Sequence, residues 1–152
     1  MTEKRRRDEP QSGLPNGGPA SNLKRALKSI LTVQASIPED AFTAQTLGEQ
    51  RAGSGVVIRE SGLVLTIGYL ITEAENVWLA DANGRVTPAH ALAVDAETGF
   101  GLVQALGDLK CPALELGRSS EIKLGDPVTV AAGAGTKPVR AMVVGRQEFA
   151  GY

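Results

Sequence analysis

The sequence predicts an all-β domain, and three observations carry that prediction. Short β-branched runs recur at short intervals. Turn residues stand between them. No stretch keeps a helical period long enough for the crossover helices of a parallel sheet. With 18 Gly and 8 Pro in 152 residues, the composition favours many turns over long helices. A barrel and a sandwich are both compatible with this pattern.

Residues 1–21 are charged, then rich in Pro, Gly, Ser and Asn, and read as a disordered leader. Ser21 is placed to cap a short helix over "NLKRALKS". In "SILTVQASI" (29–37), Leu31, Val33, Ala35 and Ile37 alternate and mark a strand. Residues 38–52 have no period and read as a long connection. "GVVIRE" (55–60), the turn "SG" and "LVLTI" (63–67) form a hairpin. "NVWLA" (76–80) and "RVTPAHALAV" (85–94) flank the turn "DANG", whose Asn-Gly tolerates positive φ. Pro88 lacks an N–H, which predicts an edge or a bulge there. Further strands are expected at "GFGLVQAL" (99–106), "ALEL" (113–116), "DPVTVAA" (126–132) and "PVRAMVVGRQ" (138–147). The domain therefore spans 22–147, and 148–152 is a tail or a truncation point.

The length suits one domain with a real core. Aromatic residues make up only 4%, so that core must come from Val, Leu, Ile and Ala. The net charge of −1 is uneven: residues 1–28 carry +4 and the rest −5. The basic leader reads as solvated, able at most to touch an acidic partner or a lipid surface. No nucleic-acid partner is expected. Cys111 is the only cysteine, in an apolar setting that suggests a small buried side chain. No window approaches the ~18–20 apolar residues of a membrane span. "KRRR" (4–7) is not followed by the apolar run of a secretory signal, so the chain is expected in the cytoplasm. With one His and one Cys, no metal site or cofactor is expected.

"AGSGVVIRESGLVLTIGYLI" resembles the opening hairpin of the HtrA/Deg branch of trypsin-like serine proteases. There a Gly-Ser-Gly strand turns at Gly and returns into Thr-Asn-x-His-Val-Val. "VWLADANGRVTPAHALAVDAETGFGLVQAL" is similar to the following portion, which ends in Asp-x-x-Thr-Asp-Leu-Ala-Val-Leu. "ALELGRSSEIKLGDPVTVAAGAG" is similar to the Leu-Gly-x-Ser … Gly-x-x-Val-x-x-x-Gly segment. The ordered series covers about 53–147. It implies two six-stranded antiparallel barrels, of which this chain supplies the first, and "PVRAMVVGRQ" would open the second.

Such proteases use a Ser nucleophile, a His base and an Asp that orients the His. By this resemblance the His position holds Tyr69 and the Asp position holds Gly99. The nucleophile would lie beyond residue 147. A phenol titrates near ~10 and an imidazole near ~6.5, so a tyrosine cannot serve as the base at neutral pH. Glycine has nothing with which to orient a base.

Other residues invite weighing. His90 lies within an expected edge strand and away from the hairpin end, which suits a partly exposed strand histidine better than a base. Ser54 reads as the entry to a strand rather than a nucleophile. "GAGTK" (133–137) lacks phosphate-loop spacing. Asp95 and Glu97 read as a solvated turn. Trp78 reads as core, or with Tyr69 as a small apolar patch.

The leading expectation is a serine-protease homologue without peptidase activity as this chain stands, an interaction module or a fragment. One alternative is half of an active endopeptidase whose second barrel and nucleophile lie beyond residue 152. Another is a protein that binds a protein or peptide by strand addition to its exposed last strand.

Overall fold

The structure is a computed structural model that describes residues 19–147. The expected disorder of the leader falls on 1–18, and the tail 148–152 likewise lies outside the described residues. Residues 19–21 open a helix, α1 (Pro19–Leu27), so Ser21 lies within it rather than at its cap. Six strands follow: β1 (Ile30–Ser36), β2 (Gln50–Arg59), β3 (Leu63–Ile67), β4 (Asn76–Ala80), β5 (Val86–Val94) and β6 (Phe100–Ala105). They close into one antiparallel barrel in the order β1-β2-β3-β6-β5-β4. This resolves the choice between barrel and sandwich.

Strand periodicity explains the core. Alternate side chains point inward, and Leu31, Val33 and Ala35 of β1 are at most 1% exposed. Val57, Val64, Val77, Leu79 and Val103 meet them inside the barrel. Trp78 falls on the opposite parity between Val77 and Leu79, so it is half-buried on the outer wall and not in the core.

Two short helices interrupt the connections. α2 (Ala44–Leu47) lies in the connection without a period, and β2 begins at Gln50, earlier than expected. α3 (Gly68–Ile71) continues directly from β3 and plugs one end of the barrel. Its Leu70 and Ile71 are at most 2% exposed. They fit because the strands facing them carry glycine. A Cβ on Gly53 would stand 2.5 Å from Leu70 Cδ1, and one on Gly101 would stand 2.8 Å from Ile71 Cδ1.

Closure removes the edge expected at Pro88, because β5 pairs with β4 on one side and β6 on the other. Pro88 O accepts from Leu106 N at 2.9 Å, just past the last paired residue of β6. The missing donor thus faces the end of the ladder. The β5 irregularity lies further on, between Ala91 and Ala93. In the 81–84 turn only Gly84 has positive φ (+80°), and the Asp81 carboxylate accepts from Asn83 N and Arg85 N.

Residues 113–116 are not a strand. A single backbone–backbone bond, Leu114 N to Val57 O at 2.8 Å, lays them beside β2 without building a ladder. β7 (Pro127–Val130) and β8 (Val139–Met142) pair with each other in a separate two-stranded sheet. The last strand therefore has a partner, the strand before it. The hairpin is tied to the barrel by side chains: Gly133 N donates to Ser54 Oγ at 2.9 Å and Ala134 N to Thr32 Oγ1 at 3.1 Å. Thr32 and Ser54 face each other across β1 and β2.

Candidate functional site

The β3–α3 junction and the 95–100 turn come together at one corner of the barrel. Thr66 and Ile67 pair with Gly101 and Phe100. Gly68 N then donates to Gly99 O at 2.7 Å. This close approach requires glycine at 68, since a Cβ there would lie 2.8 Å from Val94 Cγ1 and 3.2 Å from the carbonyl oxygens of Gly99 and Phe100.

Tyr69 and Gly99 line one groove of about 460 Å³. Val56, Leu65, Ile67 and Phe100 supply its apolar walls, and Ser54, Thr66 and Thr98 its hydroxyls. Tyr69 is 49% exposed at the rim. Gly99 has φ +75° and open space around the site of a Cβ. No His, Asp, Glu, Lys or Arg lines the groove.

The remaining candidates are placed elsewhere or are otherwise engaged. His90 is exposed on β5, opposite Gln104 of β6, and does not line the groove. Ser54 does line it, but its Oγ accepts the Gly133 amide and no base stands beside it in the lining. Trp78 is absent from the lining, so it forms no patch with Tyr69 there. Asp95 organises its own turn: its carboxylate accepts from Thr98 Oγ1 at 2.6 Å and Glu97 N at 3.1 Å. The Thr98 hydroxyl first, and then the Glu97 amide, hold it below the usual carboxylate range. Glu97 is exposed in the same turn. Cys111 is half-buried against the core, and burial raises its thiol, which disfavours the reactive thiolate. Among the described residues no group of three or more His, Cys, Asp and Glu is arranged to hold a metal. No described helix is long and apolar enough to cross a membrane.

Sequence reasoning missed one constellation beside this corner. Arg51, on β2, is only 5% exposed, and its guanidinium reaches the backbone of α3. A signal for it was present. Arg51 shares the inward parity of Gly55 and Val57, and a guanidinium on that face must find acceptors.

A closed six-stranded antiparallel barrel, with a β3–helix corner facing the turn before β6, defines a trypsin-like β-barrel domain. The trypsin-like peptidase domain family matches residues 53–148, and the chain belongs to that family. It is 32% identical over 75 residues to serine protease HTRA1 of Xenopus laevis, covering 49% of this chain and 16% of that protein. To the periplasmic pH-dependent serine endoprotease DegQ of Escherichia coli (strain K12) it is 28% identical over 133 residues, covering 76% of this chain and 29% of that protein. Among solved structures, the HtrA-type protease AlgW with tripeptide superposes with a TM-score of 0.65 at 22% identity, covering 83% of this chain and 39% of that one. AlgW with decapeptide gives 0.64 at 23% identity, covering 85% and 46%. The chain thus spans less than half the length of each of these proteins.

Proposed function

We propose that this barrel is a catalytically silent member of the HtrA-type family that acts as an interaction module. The observation that carries the reading is the pair Tyr69 and Gly99 on one uncharged groove. In the family's pattern these two positions hold the base and the residue that orients it. A tyrosine is a poor base at neutral pH, and a glycine orients nothing. The groove lining holds no substitute for either, and the lone histidine stands outside it. Loss of a single triad member costs about 10⁴–10⁶ in turnover in well-characterised cases. Loss of both base and orienter leaves a serine, wherever it came from, without activation.

The test is hydrolysis of a fluorescently quenched unfolded protein by the purified chain between pH 5 and 9. The expected result is release no faster than in buffer. Cleavage that tracks the chain through purification would overturn the reading. The same assay on any longer product of the gene separates this reading from that of half an active endopeptidase.

One observation favours a second reading, strand addition. β8 is paired on one side by β7, and no other described strand pairs with it. Val139 and Met142 are exposed on it. A peptide partner would extend this sheet. Sedimentation that shows a stable monomer indifferent to added extended peptides would count against it.

A further inference from the structure

Arg51 is buried, and a buried guanidinium demands acceptors. It has no ion-pair partner among the described residues. Its acceptors are instead the ends of the two short helices. Nε donates to Gly48 O at 3.0 Å, the C-cap of α2. Nη1 donates to Tyr69 O at 2.6 Å and Thr72 O at 3.1 Å, in the last turn and at the C-cap of α3. These are the carbonyls that a helix end leaves without partners and where its dipole is negative. Nη2 donates to Thr43 Oγ1 at 2.8 Å, at the N-cap of α2.

Glu73 closes the arrangement from the other side. It follows α3 in the left-handed region, at φ +61°, a costly conformation for a residue with a side chain. Its carboxylate accepts from Phe42 N at 3.1 Å, Thr43 N at 2.8 Å and the Thr43 hydroxyl. Thr43 Oγ1 therefore accepts from Arg51 and donates to Glu73. α2 is held at its N-terminal end by a residue that follows α3, and at its C-terminal end by the guanidinium that also grips α3.

We propose that Arg51, Thr43 and Glu73 form a brace that makes the shape of the Tyr69 groove depend on the 38–48 loop. Displacing the loop removes Thr43 from Arg51, and the guanidinium then loosens its hold on the carbonyl of Tyr69. The loop also carries Phe42, which is 91% exposed. Tyr69 is a rim residue of the groove and Arg51 its positioning residue. The brace is independent of whether the site cleaves peptides.

The test is amide exchange by NMR on the full chain, comparing Thr43→Val, Thr43→Ser and Arg51→Met. Thr43→Val is expected to speed exchange at Gly68 and Thr72 about tenfold, the worth of one charge-assisted hydrogen bond. It should also shift the Tyr69 ring signals, while Val33 and Leu79 exchange as in the wild type. Thr43→Ser is expected to restore the wild-type pattern, and Arg51→Met to exceed the effect of Thr43→Val. The proposal is overturned if Thr43→Val changes only residues 38–48. It is equally overturned if exchange rises by the same factor throughout the barrel, which would make the brace a matter of global stability alone.

Discussion

Gly68 and Gly99 touch across the corner that brings Tyr69 to the groove, yet they are glycine for opposite reasons. At Gly68 the obstacle is space, since backbone oxygens and Val94 crowd the Cβ position. At Gly99 the obstacle is φ alone, because the surroundings are open. Gly68→Ala is therefore expected to cost about 1–3 kcal/mol through overpacking. Gly99→Asn is expected to stay within about 1 kcal/mol, because Asn tolerates the left-handed region. Urea denaturation of the two variants checks the contrast, and equal costs would contradict it. The identity of residues 69 and 99 was legible only through the ordered resemblance, because nothing local distinguishes "TIGY" or "TGFG" as a site. Arg51 was legible in principle from parity, but no local rule names the carbonyls it caps.

Among the elements, those with a local cause were readable and those made by distant contacts were not. The alternation of β1 and the β2–β3 hairpin follow from neighbouring residues. The pairings of β1 with β4 and β3 with β6, which close the barrel, join segments with no signal of their own. α2 and α3 are single turns held by tertiary contacts, too short to show a period. "ALEL" has strand composition, yet only one backbone–backbone bond awaits it.

Two element-scale outcomes follow. The Thr43 hydroxyl and amide, and then the Phe42 amide, hold Glu73 below the usual carboxylate range. A lowered folded-state pKa means that the contribution is full above the unfolded value and is lost as pH falls through the folded one. The amide signals of Phe42 and Thr43 are thus expected to titrate together in that acid window, and Glu73→Gln to abolish the titration. Ser54→Ala removes the acceptor of the Gly133 amide, so exchange should quicken in β7 and β8 while the barrel strands keep their protection.

At the scale of the whole molecule, one core closed by α3 should unfold as one unit. Trp78 sits on the barrel wall and is the only tryptophan, so its fluorescence reports that unit alone. Its urea transition is expected to coincide with the loss of far-UV circular dichroism from the barrel strands. Leu70→Ala, which empties the plug, should move both transitions together by about 2–5 kcal/mol. Separate transitions would show that the plug and the barrel are independent.

On the proposed reading, this corner of the barrel has no means of activating a serine. A fluorophosphonate reports that directly, because it modifies only a serine that a neighbouring base has made nucleophilic. Incubation of the full chain with the probe, followed by peptide mass spectrometry, is predicted to find every serine unmodified, Ser54 included. A stoichiometric adduct on any serine of the native chain, absent after denaturation, would contradict the account.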